Sequence, residues 1–103
     1  MNGSAAYLVK VELEGHESER WQITDKPLMI GRNKDADVIL YGRKVSRVHC
    51  LISIQKDGNY VITDMFSTNG THVNGLRITN KETLLQAYDR ISIGEDHFIF
   101  KLR

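Results

Sequence analysis

The chain consists of short stretches in which apolar and polar residues alternate, with glycine-containing turns between them. The alternation is clearest over residues 7–13 and 49–55, as expected of strands that bury one face. Many short strands at close spacing predict an all-β fold, either a sandwich or a barrel. The further predicted strands are 20–23, 28–30, 38–40, 60–63, 71–73, 76–78, 90–93 and 97–102.

Three dipeptides predict tight turns, because Asn or Asp followed by Gly accepts positive φ at low cost. They are Asp57-Gly58, Asn69-Gly70 and Asn74-Gly75. The first is expected to join the strands at 49–55 and 60–63, and the third to join those at 71–73 and 76–78. The segment 81–89 has its apolar residues on one helical face but is short, so we expect a loop with at most one turn of helix.

The composition is that of an ordinary globular domain, with 41% hydrophobic and 26% charged residues in a chain of 103. We expect a flexible tail over residues 1–6 and one domain over 7–103, which can also be part of a longer protein. A net charge of +1 argues against a dedicated nucleic-acid binder. No apolar run approaches the ~20 residues of a membrane span, and no secretion signal is present. An intracellular setting is favoured, cytoplasmic or, in a eukaryote, nuclear.

Basic residues gather where three short polar motifs occur. Residues 31–49 carry five basic and two acidic side chains, whereas 10–25 carry five acidic and two basic ones. The motifs supply two arginines, two hydroxyls and an amide, on predicted loops: Arg32, Arg47, Ser46, Thr68 and Asn69. Arginine offers a rigid fork of donors to phosphate, and short polar side chains fix orientation. This set predicts recognition of a tetrahedral anion.

In order and spacing, the motifs resemble those of the forkhead-associated (FHA) domain. The motifs are Gly31-Arg32, Ser46-Arg47-Val48-His49, Thr68-Asn69-Gly70 and Val73-Asn74-Gly75. The resemblance covers about 8–102 and implies a β-sandwich of two twisted, mainly antiparallel sheets, with binding loops at one end. It implies a phosphopeptide-binding module in signalling, whose partner is a phosphothreonine-containing protein that is the substrate of a Ser/Thr kinase. It implies no enzymatic activity, cofactor, metal, nucleic acid or membrane.

The resemblance also assigns a role to each site residue. Arg32 is expected to pair with the phosphate, although a surface ion pair with Asp35 or Asp37 is an alternative. Ser46 is expected to hold phosphate oxygens through its hydroxyl and backbone N–H, and Thr68 through its hydroxyl. The remaining assignments are Arg47 as a second donor, Asn69 as the amide that binds the peptide main chain, and Gly31, His49, Gly70 and Asn74 as structural support.

Two further features separate this chain from a generic family member. The stretch 41–45 lies where the family reads the residue three positions after the phosphothreonine, and here Arg43 and Lys44 are basic. We therefore expect a bias toward Asp or Glu at that position. The family often has Gly-Asp before the penultimate strand, where this chain has Tyr88-Asp89.

Two other functions compete with phosphopeptide binding. The first is a hydrolase in which Ser46, His49 and Asp64 form a catalytic triad. No Gly-x-Ser-x-Gly motif surrounds Ser46, which argues against it. The second is a phosphate-independent scaffold or oligomerisation domain of the same fold.

Cys50 is the single cysteine and lies in an apolar run, so we expect a buried, inert thiol. The four histidines show no metal-ligand spacing.

Overall fold

The computed structural model describes residues 5–103, in which eleven β-strands and no helix occur. Because it has no helix, this part of the chain has none that could span a membrane. The strands are β1 (Ala6–Val11), β2 (Glu17–Ile23), β3 (Leu28–Gly31), β4 (Val38–Ile39), β5 (Cys50–Ile54), β6 (Tyr60–Asp64), β7 (Thr71–Val73), β8 (Leu76–Arg77), β9 (Thr83–Leu85), β10 (Arg90–Ile93) and β11 (Asp96–Leu102).

The strands form two sheets that pack as a sandwich. The six-stranded sheet has the order β2-β1-β11-β10-β7-β8, and the five-stranded sheet has the order β4-β3-β5-β6-β9. All pairs are antiparallel except β3 with β4. Alternate residues face inward, and the largest buried ones are Phe98 and Phe100 of β11. This arrangement confirms the predicted sandwich.

The predicted turns form where Gly follows Asn or Asp. Val73 pairs with Leu76, so Asn74 and Gly75 make a two-residue hairpin turn with φ of 51° and 84°. Gly58, with φ of 89°, lies in the connection between β5 and β6. The local preference for positive φ therefore positions both hairpins as the sequence predicts.

The segment 81–89 differs from the sequence-based expectation. No helical turn forms there; β9 instead pairs with the free edge of β6, with Leu85 opposite Tyr60 and Leu84 opposite Val61. Leu85 is buried whereas Leu84 is half exposed, which is the alternation of a strand. The expectation of a loop with at most one turn of helix was wrong, because β6 offers this segment hydrogen-bond partners that an isolated loop or turn lacks.

Strand boundaries also differ at the N-terminal hairpin. Of the tail expected over residues 1–6, residues 1–4 lie outside the described residues, whereas Ala6 begins β1 and is fully buried. β2 begins at Glu17, three residues before the predicted start, because its exposed polar residues hide the strand in the sequence. Tyr88 adopts a φ of 70° and is 69% exposed, so the position that is often glycine in the family is held here by a strained aromatic.

Several loops meet at one end of the sandwich. In the six-stranded sheet β1 ends opposite the start of β11, and Ile93 at the end of β10 pairs with Thr71 at the start of β7. The loops that follow β3 and β4 leave the second sheet at the same end: a Cβ built on Gly94, in the β10–β11 turn, would lie 3.2 Å from a methyl of Val45. The motifs singled out in the sequence therefore converge.

Candidate functional site

Two of the loops are joined by their backbones at Gly31. Arg32 N–H donates to Ser46 O at 2.9 Å, and Asn33 N–H donates to Arg47 O at 3.1 Å. A Cβ on Gly31 would lie 2.1 Å from Arg47 O, a separation that no side chain tolerates. Glycine is therefore required at this position to let the two loops approach.

Arg32 is an exposed residue whose guanidinium is anchored at one nitrogen. Its Nε donates to Val45 O at 3.0 Å, which leaves the outer nitrogens of the fork available. Within residues 5–103 neither Asp35 nor Asp37 makes an ion pair with it, and a carboxylate oxygen of Asp37 instead accepts Met29 N–H. The surface ion pair considered as an alternative is therefore not formed.

Ser46 is held between two other loop residues. Its backbone N–H donates to His49 Nδ1 at 3.0 Å, and its hydroxyl oxygen accepts Thr68 N–H at 3.1 Å. In this structure the histidine therefore already binds the Ser46 N–H, which was expected to hold a phosphate oxygen. The hydroxyl hydrogen remains free to donate.

His49 joins the loop of Ser46 to the loop of Gly70 through hydrogen bonds in the interior. The ring is fully buried, and Nδ1 accepts Ser46 N–H while Nε2 lies 2.9 Å from Gly70 O. The ring must therefore carry its proton on Nε2 and donate it to the carbonyl. Both ring nitrogens are thus engaged by backbone groups, and neither is available to deprotonate the Ser46 hydroxyl.

Asp64 organises the loop that carries Thr68 and Asn69, a role that the sequence did not indicate. One carboxylate oxygen accepts the Ser67 hydroxyl at 2.6 Å and the Thr71 hydroxyl at 2.7 Å, and the other accepts Ser67 N–H at 3.0 Å. The carboxylate is buried and its bonds all go to its own loop, so it does not orient His49. The only sequence signal was an Asp with a Ser three residues later, a common local capping pattern.

Thr68 and Asn69 are exposed at the tip of this loop. Asn69 Nδ2 donates to Lys44 O at a long 3.3 Å, which brings its amide beside the β4–β5 loop. Gly70 follows with φ of 89°, and a Cβ there would lie 2.6 Å from Arg77 Nε. Arg77 is therefore a cation at the rim of the site, although no motif pointed to it.

The other expected basic residues lie on the loop that precedes β5. Arg43, Lys44 and Arg47 are all exposed there, and Arg47 and Lys44 contact the site through their backbone carbonyls. Arg43 and Lys44 line a cleft of about 740 Å³, whose other walls include Glu19 and Glu95.

Asn74 lies at the far end of β7, away from the binding loops. There its amide bonds to the Asp89 carboxylate and to Arg90 N–H, each at 2.9 Å. It fixes the β7–β8 turn against the start of β10 and does not touch the loop residues.

Cys50 is a buried thiol beneath the site, as the sequence predicted. Its exposed fraction is zero, and burial raises the pKa of its thiol to about 12. A side-chain hydrogen bond with Thr71 acts in the opposite direction, and the Asp64 charge adds to the rise in pKa. A protonated, inaccessible sulfur is neither a nucleophile nor a metal ligand. Residues 5–103 hold no cluster of three or more His, Cys, Asp or Glu that could bind a metal ion.

The raised pKa predicts a loss of stability in alkali. The folded state keeps the Cys50 proton up to a pKa of about 12, whereas the unfolded thiol loses it near 9.0. Stability is therefore complete below pH 9 and falls between pH 9 and 12, by up to about 1.4 kcal/mol per pH unit. Urea unfolding across this range should show that slope in the wild type and a shallower one in Cys50→Ala. Equal slopes would contradict a buried, protonated thiol.

The fold and the loop site together define a β-sandwich that presents cationic and hydroxyl donors at one end. Comparison with known families agrees, since the FHA domain family matches residues 28–94. The chain belongs to the FHA family, as the sequence motifs predicted.

Among curated relatives, the transcriptional regulatory protein EmbR of Mycobacterium tuberculosis is 41% identical over 73 residues. That alignment covers 71% of this chain and 18% of EmbR. The FHA domain-containing protein FhaA of the same organism is 33% identical over 101 residues, which is 97% of this chain and 18% of FhaA. The chain thus spans about a fifth of the length of these two relatives.

Solved structures show the same fold. Mycobacterium tuberculosis EmbR in complex with a low-affinity phosphopeptide superposes with a TM-score of 0.81 at 34% identity, covering 94% of this chain and 24% of that one. A structure solved in an analysis of phosphothreonine-dependent FHA domain interactions gives a TM-score of 0.81 at 29% identity. It covers 94% of this chain and 95% of that chain.

Proposed function

We propose that this domain binds phosphothreonine-containing proteins and has no enzymatic activity. The observation that carries the proposal is the convergence of Arg32, Ser46 and Thr68 on loops that His49 and Gly31 hold in fixed positions. Membership of the FHA family supports it, as do related structures from phosphothreonine-dependent and phosphopeptide complexes. The hydrolase alternative lacks a base, because both nitrogens of His49 bind the backbone.

The chemistry of the loops suits a phosphate group. A phosphorylated residue brings a charge of about −1.5 to −2 and three acceptor oxygens. The outer Arg32 nitrogens and the hydroxyls of Ser46 and Thr68 are donors, and Arg47 adds positive charge. Each charge-assisted hydrogen bond contributes roughly 1.5–3 kcal/mol, and ordering the peptide offsets part of the sum. We expect an affinity near micromolar, about −8 kcal/mol.

The partner is then a protein phosphorylated by a Ser/Thr kinase, and the domain acts as one part of a larger signalling protein. Relatives several times its length support the second statement. A partner that is phosphorylated by a protein kinase fits an intracellular setting, and so does the free thiol of Cys50. No cofactor is needed for binding of this kind.

The cleft beside Lys44 bears on sequence preference around the phosphothreonine. Arg43 and Lys44 supply positive charge on one wall, and Glu19 and Glu95 supply negative charge on another. We propose that Asp or Glu is preferred three positions after the phosphothreonine, because the Asn69 amide bonds to Lys44 O and so lies beside this basic segment. An oriented phosphopeptide library checks this, and selection of an apolar or basic residue there would contradict it.

Shift mapping by NMR tests the location of the site. Titration with a phosphothreonine peptide should move amide resonances at 31–34, 43–49 and 67–70, while those of β9 and of the Asn74-Gly75 turn change little. Shifts concentrated on a sheet face, or at the opposite end of the sandwich near Asn74, would place the peptide elsewhere. That result would favour the scaffold alternative over the loop site.

A further inference from the structure

Phe66 lies in the loop that carries Thr68 and combines two unfavourable features. Its φ is 56°, a left-handed conformation that costs a bulky L-residue roughly 1–2 kcal/mol. Its side chain is also 79% exposed, so little apolar burial offsets this cost. Asn would adopt the same backbone conformation more easily. Strain retained at an exposed apolar residue beside a binding site points to a role in binding.

The position of Phe66 places it on a defined flank of the phosphate site. It lines a shallow cleft with Arg77, Ile78 and Thr79, over the β7–β8 edge of the six-stranded sheet. The cleft of Arg43 and Lys44 lies over the opposite edge, since Lys10 of β1 and Glu19 of β2 also line it. The donors of the loop site lie between the two clefts, because Thr68 bonds to Ser46 across the gap between their loops.

We propose that Phe66 is a specificity-determining residue that packs against an apolar side chain of the bound phosphopeptide. The proposal rests on the proposed function. If residues after the phosphothreonine lie toward Arg43 and Lys44, an extended peptide places the preceding residues toward Phe66. Phe66 is two residues from Thr68, about 7 Å along the chain, so its side chain reaches positions within three residues before the phosphothreonine.

Calorimetry with two phosphothreonine peptides tests the proposal. In one peptide the three residues before the phosphothreonine are alanine, and in the other they are leucine. The wild type should bind the leucine peptide about fourfold more tightly or better, since about one buried methylene gives that factor. Phe66→Asn should bind both peptides alike and melt roughly 4–8 °C higher, because the strain is relieved.

Tyr88→Asn is the matched control, because Tyr88 is also an exposed aromatic with positive φ but lies away from the binding loops. It should raise the melting temperature similarly and leave the leucine preference intact. A leucine preference unchanged in Phe66→Asn, or absent in the wild type, overturns the role of Phe66 alone. Failure of the wild type to bind either peptide overturns the proposed function and this inference with it.

Discussion

Replacement of Arg32 with alanine is expected to weaken phosphopeptide binding by at least about thirtyfold. Arg32 is held by its Nε contact to Val45 O, with the outer nitrogens of its fork exposed toward the converging loops. Removing one partner of such a charge pair costs roughly 2–5 kcal/mol, which is at least about thirtyfold in affinity. Calorimetry with a phosphothreonine peptide that binds near micromolar would measure this loss directly.

Two further variants distinguish the loss of the contact between Arg32 and the phosphate from the loss of one positive charge. Arg90→Ala removes the same charge at the other end of the sandwich, near Asn74, and should bind within twofold of the wild type. Arg32→Lys keeps the charge but lacks the two-pronged fork, so it should recover only part of the affinity. Binding by Arg32→Ala within twofold of the wild type would show that the phosphate does not contact Arg32.

Replacement of His49 with alanine is expected to lower the free energy of unfolding more than any other substitution proposed for this chain. The ring is fully buried and is the partner of both Ser46 N–H and Gly70 O. Its removal leaves these two groups without a partner and opens a cavity, which together cost roughly 3–5 kcal/mol. Urea denaturation should show a lower midpoint with an unchanged slope.

The consequence of this change should extend to binding, because His49 joins the loops of Ser46 and Gly70. Any His49→Ala protein that still folds should bind phosphopeptide weakly. His97→Ala is the control: this histidine is exposed on β11, and its replacement should cost less than about 1 kcal/mol. A similarly small effect for His49→Ala would contradict its role as the central tie of the site.

The parts of the fold that depend on local preferences were predictable. The alternation in 49–55 and the Asn74-Gly75 pair each specify a local structure, and both form as expected. β9 was missed because its pairing depends on the edge of β6, which is distant in the chain and gives no local signal. The polar start of β2 was missed because its exposed residues follow no apolar pattern.

The site was predictable in its residues but not in its hydrogen bonds. Ordered motifs pointed to Arg32, Ser46 and Thr68, and the fold brings their loops together. A sequence cannot show which proton is already bound, so the use of Ser46 N–H by His49 was not foreseen. The role of Asp64 was hidden for the same reason, since its three bonds depend on a loop conformation that forms only in the folded chain.

The measurement that tests the central proposal most directly is calorimetric titration with three peptides that differ at one residue. The peptides carry threonine, phosphoserine or phosphothreonine at the same position. We expect binding near micromolar for phosphothreonine, binding weaker by about fourfold or more for phosphoserine, and none for threonine, because the phosphate supplies most of the affinity and one methyl group the rest. Equal binding of the threonine and phosphothreonine peptides would contradict a phosphothreonine-binding function.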